Sequence, residues 1–405
     1  MGEIDRYFLE RKWFFYSRYP PPSPGNALSM KNENQKVYFH KLGTPQDNDL
    51  LIFEDKINPL TFNGTSISED KRFLIVYSFA GQNKTDIYYR DFKSADTTFK
   101  LFVKGMDNVN EWFVTNKGDK LIFYTTRNAP NGKVVLIDPT STNPSLWKTI
   151  KAEQPELLEN AQASGGKLFL GYLKDVTSKY YQYTYEGELE REIKFPDLGT
   201  ADGFNGLETD SVIYYGFSSF LYPYTIFKYN IKTGVSEKHF VTDMKMKSED
   251  YETKQVFYTS KDGTKVPMFI VSKKGIKSDG NHPALLYAYG GYAINSTPYF
   301  FPGIFPLLDA GGIYAVANIR GGGEYGEKWH EAGMLLKTQN RFDDFIAAAE
   351  YLISNKYTSA NKLGINGGSH GGCLVGSVML QRPDLFEVAI PQVGTLDMCA
   401  SINSP

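Results

Sequence analysis

The sequence has little cysteine, little net charge and no long apolar run. Its two cysteines, Cys373 and Cys399, are too few for a disulfide framework, which indicates a reducing compartment. The formal net charge of −2 gives no broad basic surface, so we expect no binding to nucleic acid or to an anionic membrane. No run of about 18 apolar residues occurs, and the first residues lack the apolar segment of a signal peptide. These absences predict a cytoplasmic protein with no membrane partner, and a periplasmic location stays open.

Aromatic residues, in contrast, are abundant. They make up 15% of the chain, with 28 Tyr and 28 Phe, whereas charged residues make up only 22%. This composition favours a β-rich globular protein and argues against disorder. At 405 residues the chain is long enough for two or three domains.

A short apolar strand recurs five times in the first part of the chain, and a second strand follows it each time. The first strands contain residues 14–16, 73–75, 121–123, 168–170 and 212–214. The second strands contain residues 37–39, 87–89, 134–136, 181–183 and 226–228. A repeat of about 45 to 50 residues, with roughly four strands per unit, predicts the blades of a β-propeller. The ring has either five blades or more than the five that are visible. An unrelated β-sandwich with even spacing is the alternative.

The pattern changes after residue 250 and predicts an α/β domain. A hairpin is expected around Lys261, Asp262, Gly263 and Thr264. Apolar runs at 284–289, 313–319, 363–365 and 388–390 predict buried strands. Between them, Phe342 to Ile353 carry apolar residues at helical spacing. Strands that alternate with amphipathic helices predict a parallel sheet covered on both faces, so we divide the chain into domains 1–245 and 246–405.

The segment from Gly367 to Gly371 has the form G-x-S-x-G around Ser369. Glycines permit the tight turn from strand to helix that exposes such a serine at the edge of a sheet, and the helix that follows presents backbone N–H groups to an oxyanion. A strand is predicted before Ser369 and a helix after it, which is the context that a catalytic serine needs.

A serine nucleophile also needs a base oriented by an acid, and in this fold the acid and then the histidine follow the serine along the chain. Asp384 and Asp397 follow Ser369, but no histidine lies beyond His370, whose ring is expected to leave the turn in another direction. The earlier histidines are His40, His239, His282 and His330. We interpret His330, in a glycine-rich loop, as structural or solvated. The usual triad therefore cannot be completed by this chain.

Five segments together resemble the prolyl oligopeptidase family. They are ALLYAYGGY at 284–292, AVANIRGGGEYG at 315–326, QNRFDDF at 339–345, GGSHGG at 367–372 and QRPDLF at 381–386. The resemblance is dense from about 250 to 398 and looser back to about Phe14. It implies a seven-bladed propeller over an α/β-hydrolase domain, which cuts short proline-containing peptides after proline without a metal or cofactor. The full-length form would be a monomer.

The resemblance also implies roles for individual residues. Ser369 matches the nucleophile, and Tyr289 matches the tyrosine whose hydroxyl helps to bind the oxyanion, together with the backbone N–H of His370. Tyr292 and Thr395 match positions that line the proline pocket.

Some features depart from the family pattern. His370 stands where asparagine is usual, Cys373 stands where a large apolar residue is usual, and the likeness stops after Met398. The resemblance implies that the acid and the histidine of the triad lie beyond Pro405, and that both domains are partial, with about five of seven blades and without the last strands of the hydrolase sheet. We therefore expect an inactive fragment.

Three alternatives remain. A related oligopeptidase that cuts after basic residues would need an acidic pocket, whereas Tyr292 and Thr395 are neutral. The second alternative, a non-catalytic propeller used for binding, would be favoured if residues 1–245 alone were soluble and monodisperse and bound a peptide partner. Another acyl transferase or esterase on the same fold is disfavoured by the glycine-rich loop at 320–326.

Overall fold

Five antiparallel sheets account for the first part of the computed structural model, which describes residues 13–26, 29–81, 84–141, 143–242, 244 and 247–397. The first sheet has three strands, β1 Trp13–Arg18, β2 Lys36–Lys41 and β3 Leu50–Glu54. The second is formed by β4 Phe62–Ile67, β5 Phe73–Phe79, β6 Thr85–Asp91 and β7 Lys100–Val103. The third is formed by β8 Glu111–Lys117, β9 Lys120–Thr125, β10 Lys133–Ile137 and β11 Lys148–Lys151. Two more four-stranded sheets follow, made of β12 Leu157–Ser164, β13 Lys167–Lys174, β14 Thr177–Tyr183 and β15 Leu189–Ile193, and of β16 Thr200–Asp202, β17 Val212–Ser218, β18 Thr225–Asn230 and β19 Ser236–Val241.

The predicted repeat is confirmed strand by strand. Each first strand of the repeat pairs with its predicted second strand in an antiparallel register, as in β5 with β6 and β13 with β14. In each of these five sheets the strands are neighbours in the order in which they occur along the chain. Consecutive four-stranded sheets of this kind are the blades of a β-propeller.

Aromatic side chains fill the space within and between these blades. The ring centroids of Phe102 and Phe123, which lie on neighbouring blades, are 5.4 Å apart. Tyr180 stacks on Phe204 at 4.2 Å, and Phe204 stacks on Tyr215 at 4.6 Å. Large rings bury much apolar surface per residue, so the high aromatic content of the sequence serves the contacts between blades.

A six-stranded sheet forms the second part, with the order β20-β21-β23-β22-β24-β25. Its strands are β20 Tyr251–Thr259, β21 Lys265–Lys273, β22 Ala284–Tyr287, β23 Ile313–Ala317, β24 Leu363–Gly368 and β25 Val388–Gln392. The last four strands run parallel to one another, but β20 and β21 are antiparallel. The four apolar runs thus form the expected parallel strands, and the predicted hairpin adds an antiparallel pair at one edge of the sheet. The predicted turn at 261–264 is too short for the crossover that parallel strands require, so it joins an antiparallel hairpin.

Helices pack on this sheet, and buried side chains from them form part of the hydrophobic core. The helices are α1 Phe305–Asp309, α2 Glu327–Glu331, α3 Gln339–Ser354 and α4 His370–Gln381. The predicted helix over Phe342 to Ile353 is confirmed as part of α3, and its Phe345 and Leu352 are fully buried against the sheet. No helix in the described ranges is long and apolar enough to cross a membrane.

The propeller blades and the α/β sheet are in direct contact. Phe220, from the last blade, packs on Phe269 of β21 with ring centroids 5.5 Å apart. The hydroxyl of Thr200 donates a hydrogen bond to the carbonyl of Pro298 at 2.7 Å.

The domain division at residue 245 lies outside the described residues, as do Cys399 and the departure from the family pattern after Met398.

Candidate active site

Ser369 lies at the turn between β24 and α4, where its backbone adopts an unusual conformation. Its φ of 53° and ψ of −116° lie in a region that L-residues rarely occupy. The Ser369 N–H donates to the carbonyl of Gln392 at 2.9 Å, and the Ser369 carbonyl accepts from the N–H of Gly372 at 2.8 Å. The chain is thus held on both sides of the turn, and the serine is exposed at the carboxyl end of a central parallel strand.

Two glycines of the motif are required by close backbone approaches. A Cβ on Gly367 would lie 2.3 Å from the carbonyl oxygen of Gly371, and a Cβ on Gly371 would lie 2.7 Å from that of Ala288. At Gly368 the nearest atom to such a Cβ is 4.0 Å away. The first and last glycines of G-x-S-x-G therefore allow β24, β22 and α4 to approach one another around Ser369.

Tyr289 and the backbone of His370 lie beside this turn. Tyr289 follows β22, the strand next to β24, and its ring centroid is 6.0 Å from that of His370. The His370 N–H begins α4 and forms no hydrogen bond within the described part of the chain. A free N–H at the positive end of a helix can stabilise a developing oxyanion next to Ser369.

Tyr292 and Thr395 each contact a residue of the first turn of α4. The Tyr292 ring is 5.2 Å from the His370 ring in an edge-on contact, and 61% of the residue is exposed. Thr395 accepts a hydrogen bond on its backbone carbonyl from Cys373 Sγ at 3.0 Å. Both residues are exposed to solvent.

The side chain of His370 is held by Arg341 of α3. Arg341 Nη1 donates to His370 Nε2, so this nitrogen is occupied. Burial, the Arg341 cation and His330 lower the pKa of His370 to about 4. His330 bonds the loop carbonyl of Gly321 at 2.7 Å through Nδ1, in agreement with a structural role. No histidine in the described ranges is hydrogen-bonded to Ser369.

A buried ion pair supports the glycine-rich loop behind the site. Arg320 donates to Asp344 from Nε at 2.9 Å, from Nη2 at 2.6 Å and from its backbone N–H at 3.0 Å. Asp262, in the hairpin turn between β20 and β21, accepts from Nη1 of the same arginine. Burial alone would lower the pKa of Arg320, but the hydrogen bonds and charges of Asp344 and Asp262 raise it, so the arginine stays a cation.

Two carboxyl groups meet where the propeller contacts this loop. Glu324 is 2% exposed, and burial raises its pKa to about 7, with a contribution from the charge of Glu159 on β12. Glu324 Oε1 accepts from the Ser296 N–H at 2.9 Å, whereas its Oε2 has no hydrogen-bond partner among the described residues. Asn295 Nδ2 donates to Glu159 Oε1 at 2.7 Å across the contact.

Sequence patterns alone predict no role for Arg341, Glu159 or Glu324. Arg341 gives a signal in retrospect, because it lies one turn before Phe345 on the apolar face of α3, where a cation is unexpected. The two glutamates give no such signal, because they are far apart in sequence. No group of three or more His, Cys, Asp or Glu side chains in the described ranges is arranged to hold a metal ion.

Comparison with known proteins identifies both parts of the chain. Residues 9–241 match the family described as "Prolyl oligopeptidase, N-terminal beta-propeller domain". Residues 298–404 match the "Prolyl oligopeptidase family". The first matched region coincides with the blades, and the second contains β23, β24 and β25, three of the six strands of the α/β sheet.

Individual relatives agree with this assignment. The chain is 45% identical to a prolyl endopeptidase of Elizabethkingia miricola over 96% of its own length and 55% of that protein. It is 36% identical to a prolyl endopeptidase of Dictyostelium discoideum over 96% of its own length and 56% of that protein. A solved structure of prolyl oligopeptidase B from Galerina marginata, bound to a 25mer macrocyclization substrate, superposes with a TM-score of 0.88 at 32% identity, covering 96% of this chain and 55% of that one. The chain therefore spans a little over half the length of its relatives, and it belongs to the prolyl oligopeptidase family.

Proposed function

We propose that this chain carries the nucleophile of a serine peptidase that cleaves short peptides after proline. The single observation that supports this most directly is the backbone of Ser369, with φ 53° and ψ −116°, exposed between β24 and α4. A serine hydroxyl held at such a turn next to a helix N-terminus is the arrangement that acyl transfer needs. The prolyl endopeptidases among its relatives support proline as the preferred residue before the cut.

In the proposed reaction, Ser369 Oγ forms a bond to the carbonyl carbon of the substrate proline. The bond from that carbon to the next nitrogen breaks, the amine leaves with the proton of the hydroxyl, and water later releases the acyl group. Tyr289 Oη and the His370 N–H would donate to the oxyanion, and Tyr292 and Thr395 would line the pocket for the proline ring.

The proton of the Ser369 hydroxyl needs an acceptor, and the described residues supply none in hydrogen-bond contact with it. His370 is adjacent, but its Nε2 already accepts from Arg341. We therefore propose that this chain alone does not turn over peptides, because loss of the base removes most of the rate. A cytoplasmic location and a monomeric full-length form are part of the same proposal.

Labelling with a fluorophosphonate probe tests both parts of this proposal. We expect slow labelling at one position in this chain, no labelling in the matched Ser369→Ala variant, and no detectable hydrolysis of a proline reporter peptide. Equal labelling of both proteins would refute Ser369 as the nucleophile. Rapid stoichiometric labelling together with hydrolysis of the reporter peptide would show that a base is present and would refute the predicted inactivity. Faster hydrolysis of an arginine reporter than of a proline reporter would refute the proposed cleavage after proline.

A further inference from the structure

Arg341 is a buried cation that has no carboxylate partner in the described ranges. It lies on the inner face of α3 and is 4% exposed, and no described Asp or Glu forms an ion pair with it. Its Nη1 contacts His370 Nε2 and lies 3.5 Å from the Gly290 carbonyl, while its Nε has no hydrogen-bond partner among the residues that the structure describes. A charge buried without a counter-ion costs stability, so its place beside the candidate site calls for a functional reason.

The contact with Arg341 determines where the proton of His370 lies. A guanidinium group only donates hydrogen bonds, so Nε2 must accept, and the ring proton is on Nδ1. Protonation of Nε2 would break this bond and place two cations side by side, which favours the neutral ring. The groups that face His370 are Arg341 from α3, His330 from α2 and the rings of Tyr289 and Tyr292, and Cys373 from α4 interacts electrostatically with Arg341.

The ring also has little room to turn. A Cβ at Gly291 would lie 2.0 Å from His370 Cδ2 and 2.6 Å from its Nε2, so the ring lies directly on that backbone. Tyr292 closes the next side at 5.2 Å. Because the His370 side chain is held by Arg341, Gly291 and Tyr292, the peptide N–H of the same residue is held as well.

We propose that Arg341 is a positioning residue that keeps His370 as the neutral Nδ1–H tautomer, so that this residue offers its backbone N–H to the oxyanion while its ring is withheld from Ser369 as a base. This inference rests on the proposed function for the role of the N–H. The tautomer itself is independent of catalysis.

Nitrogen NMR of the chain with labelled histidine measures this tautomer directly. Only five histidines are present, and the His370→Asn variant assigns the signal. We expect a pyrrole-type shift at Nδ1 and a pyridine-type shift at Nε2 of His370, unchanged down to about pH 5 because its pKa is about 4. A protonated Nε2 in the unmodified chain overturns the proposal without any variant.

Variants of Arg341 separate positioning from simple packing. Arg341→Met keeps the length but removes the donor, so the Nε2–H tautomer should gain population and the pKa of His370 should rise by about 1. Arg341→Lys keeps a donor and should retain more of the Nδ1–H form than Arg341→Met. His282, whose two ring nitrogens each lie 2.8 Å from a carbonyl oxygen, should not change.

A matched control is Arg382→Met, which removes an arginine at the end of α4 that pairs with Glu350 and Asp384. It should leave the His370 signals as they are. Unchanged tautomer and pKa in Arg341→Met, or equal changes in Arg382→Met, would refute the role of Arg341. Fluorophosphonate labelling in the same samples reports separately on Ser369, so failure of this inference and failure of the proposed function give different results.

Discussion

Replacing Asp344 with asparagine should strongly destabilise the α/β part of this protein. Asp344 is 0% exposed and accepts three hydrogen bonds from Arg320, which is itself buried. The amide keeps the shape of the carboxylate but removes its charge and replaces one acceptor with a donor. Removing one partner of a buried ion pair typically costs about 3 to 5 kcal/mol, because the other charge stays buried. Asp262 still contacts Arg320, so we expect the lower end of that range.

Asp262→Asn is the matched control, since it removes a second carboxylate from the same arginine. The Asp262 side chain is 45% exposed, and pairs that water can screen are worth about 0 to 1 kcal/mol. Hydrogen exchange measured at increasing urea concentrations gives the free energy of opening for α3 and β23 separately from the propeller. An equal loss in the two variants, or a smaller loss in Asp344→Asn, would refute the view that burial makes this pair important.

Two further substitutions test other features. Gly371→Ala places a Cβ 2.7 Å from the Ala288 carbonyl oxygen and should lower the free energy of unfolding in urea by about 1 to 3 kcal/mol. At Gly368 the nearest atom to an added Cβ is 4.0 Å away, so Gly368→Ala should change the free energy of unfolding by less than about 0.5 kcal/mol. Similar effects of the two substitutions would contradict the close packing of the turn. Glu324→Gln should remove a pH dependence of the free energy of unfolding. The unfolded carboxyl loses its proton near pH 4.5 and the folded one near pH 7, so the wild-type chain should lose stability across that window, by about 3 kcal/mol at most relative to the variant. Parallel stability curves for the two proteins between pH 5 and 7 would contradict the buried environment of Glu324.

Much of the fold could be predicted because its signals are local in sequence. The paired strands of the four-stranded blades, such as β5 with β6, are joined by short connections, and their apolar cores recur at a regular interval. The helix α3 and the turn at Ser369 were also identified from residues a few positions apart. The hairpin of β20 and β21 was recognised, but its antiparallel place in an otherwise parallel sheet was not deduced from the apolar runs.

The interactions around the site could not be predicted, because they join residues from separate elements. Arg341 contacts His370 only because α3 and α4 pack on the same sheet. A cation on the apolar face of α3 is unexpected, but nothing in the sequence indicates which residue it contacts. Glu159 and Glu324 belong to different parts of the chain, so their mutual repulsion exists only after the propeller and the glycine-rich loop come together. Spacing in the sequence contains no information about either encounter.

The sequential order of strands within each blade has a consequence for biosynthesis. A blade needs only neighbouring hairpins, so it can close as soon as its own strands have left the ribosome. In the α/β sheet, β22 pairs with β24, which is synthesised only after β23 and α3. The blades can therefore be complete before β24 is available to pair with β22. Ser369, which follows β24, reaches its final geometry among the last parts of this chain.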